Sequence, residues 1–449
     1  MTPASVPSRL PAARRAWLRA AAAAAILLPA AGLRAQTPGA LDTSFNAGSL
    51  GSTIFAVDYQ IDVDTSVKVT AGGDRTYGQY FLTNGALQPD TQPSGVSSTD
   101  FVLPFFGNAA RIIYTIVPER VISPDATLPN TLLGGSFDGG FGRSTNLNRV
   151  PQNLIRIAPD GQLDTDFATA VGTGANNYVT SILPLDDGRI VVGGLFTAFN
   201  KVPRRRIVRL FNTGRVDPNF ATGANIDNDV LAVAESIDPN TGGPDGSTLV
   251  GGIFNRVAGQ LYGKLARLDP NGNLDLSFHP SIDLRVLTIL VQPNGKIVIG
   301  GDFTTVNGTR VARLARLNYD GSLDTTFVGG VSGVPNRDVN PPAVYVLKPV
   351  ANGDGRIYVG GEFAQINGAP RQYLGLISAD GVVDNSFVPT PSNVVNYSVQ
   401  SIAIQSDNNL LVGETLGPRV NNKYPPSLVR LFGVTPVSSA PVPLRITGQ

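Results

Sequence analysis

The stretch VIGGDFTTVNGTRVARLARLNYDGSLDTTF, Val298 to Phe327, decides the fold. Before it, Val286 to Val291 alternates between core-type residues and meets Asn294-Gly295. Lys296 to Phe303 then reads as a second strand, and Val311 to Leu317 alternates into Asp320-Gly321 before LDTTF. Asn-Gly and Asp-Gly suit two-residue hairpin loops, because both central positions require positive φ. The segment therefore predicts four short antiparallel strands.

The same signals recur along the chain, and repeats of this length are the first feature to establish. One marker is a glycine pair after an apolar run, followed two places on by Phe. It occurs at Gly134-Gly135, Gly193-Gly194, Gly251-Gly252, Gly300-Gly301 and Gly360-Gly361, with weaker copies at Gly72-Gly73 and Gly413. The other marker is LDxxF or VDxxF, beginning at Leu41, Leu163, Val216, Leu274, Leu323 and Val383. Seven units of four strands predict an all-β fold, a seven-bladed β-propeller of four-stranded antiparallel blades. The last unit runs to Phe432 without an LDxxF segment, whereas LDTSF, Leu41 to Phe45, stands unattached at the front. The N-terminal strand is therefore expected to complete the last blade and close the ring.

The pattern GGxFTxxNGxxRxxLARLNxDGxLDxxF resembles the delta-60 repeat family of β-propellers, found in exported bacterial proteins. The resemblance covers roughly residues 41 to 433 and implies a propeller, but no shared activity or catalytic residue comes with it. Two units depart from the pattern. Unit one has LQPDT, Leu87 to Thr91, in place of LDxxF, and unit two carries extra residues around Pro124 to Thr131.

Gly (50) and Pro (34) are abundant while Glu occurs only four times, so long helices are not expected. A net charge of +1 with 15% charged residues supplies no field to collect nucleic acid or an anionic membrane. Zero Cys excludes disulfides, thiolate metal sites and cysteine nucleophiles. Residues 1–35 read as an export signal: Arg9, Arg14, Arg15 and Arg19 precede the apolar run Ala20 to Ala31, and Leu33-Arg34-Ala35 offers a small-residue cleavage site. RRAWLR, Arg14 to Arg19, also resembles a twin-arginine signal, which leaves the export route open. The apolar run is too short to span a bilayer. The expected organisation is a signal peptide over 1–35, a propeller over 36–433 and a Pro/Ser-rich tail or linker over 434–449. The product is expected to be a monomer, exported to the periplasm or to the extracellular space or cell surface.

The recurring Phe residues are expected in the core between blades, and the glycine pairs at a bulge or a close backbone approach. An Arg in the third strand precedes the Asp of the next segment, which predicts the pairs Arg156 with Asp164, Arg209 with Asp217, Arg267 with Asp275, Arg316 with Asp324 and, across the termini, Arg430 with Asp42. As exposed pairs they would set register rather than add much stability. Asp384 faces Leu376 and needs another donor.

No nucleotide fingerprint, multi-His metal site or EF-hand run is present, so no cofactor or metal is expected. The single His279 and the lack of a G-x-S-x-G elbow argue against a serine triad. One carboxylate set breaks the repeat: Asp302 and Glu362 follow their glycine pairs and Glu414 follows its single glycine. If equivalent, they would gather on one sector as catalytic candidates. The leading reading is a secreted binding or scaffold propeller that holds a protein or polysaccharide through loops on one face. A polysaccharide-active hydrolase or lyase using loop Asp and Glu, and a structural spacer of a larger surface protein, are the alternatives.

Overall fold

The computed structural model describes residues 38, 40–42, 54–61, 67–73, 79–81, 112–119, 130–137, 151–158, 163–333, 341–350, 354–389, 395, 397–405, 407–415 and 428–434, with backbone alone for 54–81. The chain divides into two compact units, Met1–Gln36 and Thr37–Gln449, and the described residues all belong to the second. The export signal, the LQPDT segment, most of the insertion around Pro124 and the tail beyond Val434 lie outside the described residues.

Among the described residues, seven three-stranded antiparallel sheets follow one plan. They are Ile54–Ile61, Val67–Gly73 and Gln79–Phe81; Ile112–Pro118, Thr131–Ser136 and Leu154–Ile157; Val179–Pro184, Ile190–Gly194 and Ile207–Leu210; Val230–Ile237, Pro244–Gly252 and Leu265–Leu268; Val286–Val291, Ile297–Gly301 and Leu314–Leu317; Ala343–Pro349, Ile357–Glu362 and Leu374–Ile377; and Val399–Ile404, Leu410–Glu414 and Leu428–Leu431. We number them one to seven. Middle strands such as Ile297–Gly301 are buried along their whole length, as a strand covered on both faces must be.

The core lies between consecutive sheets. One cluster joins Val298 and Leu314 of sheet five to Val344 and Val359 of sheet six, and another joins Tyr358 and Leu374 of sheet six to Val399 and Leu410 of sheet seven. The first strand of each sheet packs beside the first strand of the next, and the first strand of sheet one touches those of both sheet two and sheet seven. The architecture is all-β and propeller-like.

The fourth strand expected at LDxxF is not a strand. Among the described residues, the segments that follow the third strands of sheets two to six each meet their sheet through one bridge, as at Leu317↔Leu323 and Leu268↔Leu274, and then turn. The cause is the aspartate. Asp324 Oδ1 accepts from the Thr326 N–H at 3.0 Å and Asp275 Oδ1 from the Ser277 N–H at 2.9 Å, so the side chain closes a local turn that competes with the ladder. In sheet two the turn runs on into the helix Thr165–Val171, capped by Asp164 through a 2.9 Å bond from the Phe167 N–H. Between Thr305–Val306 and Thr309–Arg310 lies a small hairpin, repeated in sheets three, four and six, that joins the second strand to the third.

Candidate functional site

In sheets three to six the two ends are unlike. At one, the first strand begins and the glycine pair closes the second strand; at the other lie the turns from first to second strand and from third strand to the LDxxF or VDxxF segment.

At the glycine end the two glycines do different work. A Cβ on Gly300 would stand 2.5 Å from Val344 Cγ1 of the next sheet, and Gly193, Gly251 and Gly360 face the equivalent valines Val230, Val286 and Val399. The first glycine thus sets the spacing between sheets. The second, Gly301, lies against the carbonyl of Arg285, where a Cβ would collide with backbone. That close approach accompanies a register shift in the first strand between Val286 and Thr288, and the shift recurs in all seven first strands. The extra residue of each bulge is Phe55, Tyr114, Thr180, Leu231, Leu287, Tyr345 or Gln400. A bulge re-aims one side chain per strand, so in sheets two to seven one variable residue stands at this end.

These variable residues divide the end into sectors. Tyr114 of sheet two stacks with Tyr178, which precedes the first strand of sheet three; the rings are 6.0 Å apart and tilted by 39°, and Tyr178 is 39% exposed. Burial, with the Tyr178 phenol adding to it, pushes the Tyr114 hydroxyl up, so it stays a neutral hydrogen-bonding group. In sheets five and six the groups are charged. Arg285 donates from its backbone N–H to Asp302 Oδ1 and from Nε to Oδ2, both at 2.8 Å, while its side chain stays half exposed. Tyr345 donates to Glu362 Oε2 at 3.3 Å. Its phenol is pushed up to about 12, first by burial and then by the charge of Glu362 and that bond. Arg285 and Asp302 also act electrostatically on Tyr345, so the four groups form one polar sector. In sheet seven Gln400 donates to Thr415 Oγ1 at 3.1 Å.

The three candidate carboxylates are not equivalent. Glu362 pairs with Ala343, one place beyond Gly361, and Asp302 likewise follows Gly301. Glu414 instead pairs with Val399, the place that Gly301 holds opposite Val286 and Gly361 holds opposite Val344. It has replaced the second glycine, and Thr415 takes the register of Asp302. One step along a strand reverses the side-chain direction, so Glu414 does not share the orientation of the other two, although all three are buried. The expected gathering of three acids is therefore corrected to Asp302 and Glu362, with Asp302 held by Arg285. Among the described residues no group of three His, Cys, Asp or Glu is arranged to hold a metal ion. His279, at the periphery, stacks on Tyr262 at 4.3 Å, and its Nε2 bonds the Leu261 carbonyl at 3.1 Å.

The turn end carries the ion pairs. Arg156, Arg209, Arg267 and Arg316 each place Nε 2.7 to 2.9 Å from Oδ2 of Asp164, Asp217, Asp275 and Asp324, and Arg430 does the same to Asp42 at 2.7 Å. Each also reaches its neighbour: the Nη1 groups of Arg156, Arg209, Arg267 and Arg316 donate at 2.6 to 2.8 Å to the carbonyls of Asn212, Pro270, Tyr319 and Ala379 in the following sheet. The guanidinium lies over the Phe of its own segment, for example Arg209 over Phe220 at 4.3 Å. Contrary to the exposed pairs expected, all five arginines are buried, and so are Asp42, Asp217 and Asp324, with the Arg316 and Asp324 side chains 2% and 5% exposed. In sheet six, where Leu376 replaces the arginine, Arg356 Nη1 donates to Asp384 at 3.0 Å and Tyr358 packs on Phe387 at 5.1 Å. The aromatic contact, the bond to the next sheet and the bulge were not read from the sequence; the fixed spacing of Arg to Phe was the available signal for the first.

The profile of the family described as "Domain of unknown function (DUF5122) beta-propeller" matches residues 185–220, 243–278, 292–327 and 353–387, together about a third of the chain. No curated protein matches the sequence. Among solved structures, the WD40 β-propeller domain of Doa1 aligns at 12% identity and TM-score 0.47 over 88% of this chain and 96% of that one. The extracellular domain of the putative one-component system BT4673 from B. thetaiotaomicron aligns at 13% and 0.42 over 86% of this chain and 39% of that one. PorZ, a surface component of the type-IX secretion system of Porphyromonas gingivalis, aligns at 13% and 0.43 over 90% and 48%. The chain thus spans less than half the length of the latter two. The four matched segments, each running from a second strand to the end of its LDxxF or VDxxF segment, together with the repeated sheet plan, identify this chain as a β-propeller repeat protein.

Proposed function

We propose that the chain is an exported binding propeller of the delta-60 type, whose seven sheets form a ring closed by its N-terminal segment. In this reading it acts at the cell surface or in the periplasm as a scaffold that takes a polysaccharide, or a protein presenting similar polar chemistry, at its glycine end. The carrying observation is the contrast between the ends. The turn end repeats one buried Arg–Asp–Phe arrangement with little variation, as a structural joint does. The glycine end varies from sheet to sheet, with the Tyr114–Tyr178 pair in one sector and Arg285, Asp302, Tyr345 and Glu362 in another. An aromatic face in one sector and hydrogen-bonding groups in another suit a sugar chain, which offers C–H surface and hydroxyls along its length. Export rests on the basic and apolar pattern of residues 1–35.

A glycan array probed with the purified chain, starting at Gln36, tests the reading. A defined class of oligosaccharide should be retained, and Tyr178→Ala should weaken it tenfold or more, a loss of about 1.4 kcal/mol. Phe211→Ala, at an exposed Phe of the turn end (41%), should leave affinity unchanged. Equal losses from the two substitutions, or no retained glycan and no captured surface protein, would overturn it.

A further inference from the structure

The seventh sheet lacks a covalent link that sheets three to six have. In sheets three to six the third strand and its LDxxF or VDxxF segment are joined by a tight turn with one repeated bond: Phe211 N–H to Arg215 O, Asp269 N–H to Asn273 O and Asn318 N–H to Ser322 O at 2.8 Å, and Ser378 N–H to Val382 O at 2.7 Å. In the seventh sheet the same bond runs from the Phe432 N–H to Ala40 O at 3.0 Å, between opposite ends of the chain. Leu41 bridges Leu431, the Asp42 N–H donates to Arg430 O at 2.9 Å, and Arg430 Nε donates to Asp42 Oδ2 at 2.7 Å across 388 residues of sequence. The slot beside Leu428–Leu431 thus recognises a Leu-Asp segment through contacts that do not depend on which chain supplies it.

We propose that this slot is also filled in trans: the Ala40–Asp42 segment of a second copy enters it, and two chains exchange segments reciprocally to form a dimer. The inference rests on the ring closure proposed above. The occupant follows from the topology, because the other LDxxF and VDxxF segments in sheets three to six are tethered to their own third strands by the tight turn. Residues 43–53 separate Leu41–Asp42 from the first strand at Ile54, and eleven extended residues reach about 36–40 Å. An exchanged dimer would keep every contact of the closed monomer, so the balance depends on chain concentration against the effective concentration of the tethered segment, on the order of millimolar.

The absence of cysteine makes the test specific. Two full-length single variants, Ala40→Cys and Phe432→Cys, are unfolded together, refolded at rising chain concentration, oxidised and digested. A disulfide joining position 40 of one chain to position 432 of the other should appear and grow with concentration, and adding Asp42→Asn to the first chain should reduce its yield severalfold. A 40–432 link no more abundant than the random 40–40 link at every concentration would overturn the proposal. The double variant Ala40→Cys/Phe432→Cys in dilute solution separates the two ideas. An intramolecular link there leaves ring closure standing even where exchange has failed, and its absence removes both.

Discussion

Arg316 serves three purposes at once: it pairs with Asp324, lies 5.0 Å from the centre of the Phe327 ring and donates to the Ala379 carbonyl of the next sheet. Removing it leaves Asp324 buried with only Lys296 for a cation, and breaking a buried pair from one side costs about 3–5 kcal/mol. Arg316→Met should therefore lower the unfolding free energy obtained from urea titration by an amount in that range, with a matching fall in the midpoint, whereas Arg215→Ala, on an exposed turn, should change it by about 0.5 kcal/mol or less. A midpoint within error of wild type for Arg316→Met would show that the joint is ornamental. The Arg–Asp spacing is legible in the sequence because it is local, eight residues across a hairpin. The bond to Ala379 spans 63 residues and ends on a carbonyl, and a backbone acceptor leaves no mark on residue identity.

At the scale of the element, the LDxxF and VDxxF segments behave as capped turns, and three of them share a pH dependence. Burial works against the charged forms of Asp275, Asp324 and Asp384. Hydrogen bonds from Ser277 and Arg267, from Lys296, Thr326 and Arg316, and from Ser386 and Arg356 outweigh it and hold all three below the usual carboxylate range. A folded pKa below the unfolded value of about 3.9 means that the folded state binds the proton more weakly. Each carboxylate thus stabilises the fold above about pH 4, and the contribution disappears as pH falls through the folded values. The melting temperature should be level from about pH 7 to 5 and drop below about pH 4, and Asp324→Asn should make the drop shallower. A melting temperature that rises on acidification would contradict this. The glycine pairs and the Asn-Gly and Asp-Gly turns were readable because steric demands fix those residues. The strand expectation at LDxxF failed because alternation cannot distinguish a strand from an aspartate-capped turn with a single bridge. Glu414 was misplaced for a related reason: a glycine missing from a pair reads as a deletion until pairing shows a substitution.

Across the whole molecule, the interlocking of sheets raises the question of whether the last joint equals the others. Arg430 and Asp42 are as buried as Arg209 and Asp217, at 9% and 7% against 6% and 5% exposure. If the ring is closed through them, Arg430→Ala and Arg209→Ala should lower the melting temperature by similar amounts, by roughly 3–5 kcal/mol of stability each. A silent Arg430→Ala beside a damaging Arg209→Ala would mean that the chain ends contribute nothing to holding the ring. The repeat plan was readable from the whole sequence because its markers recur, but the partner was not, since the residues that vary at the bulges carry no recurring sign. The meeting of Ala40 with Phe432 has one more consequence. If the ring is closed there, gene segments and folded modules are out of phase by one segment. A gene that gained or lost one full repeat would still present a leading segment to a trailing sheet, and the number of modules could change over evolutionary time without any new way of sealing the circle.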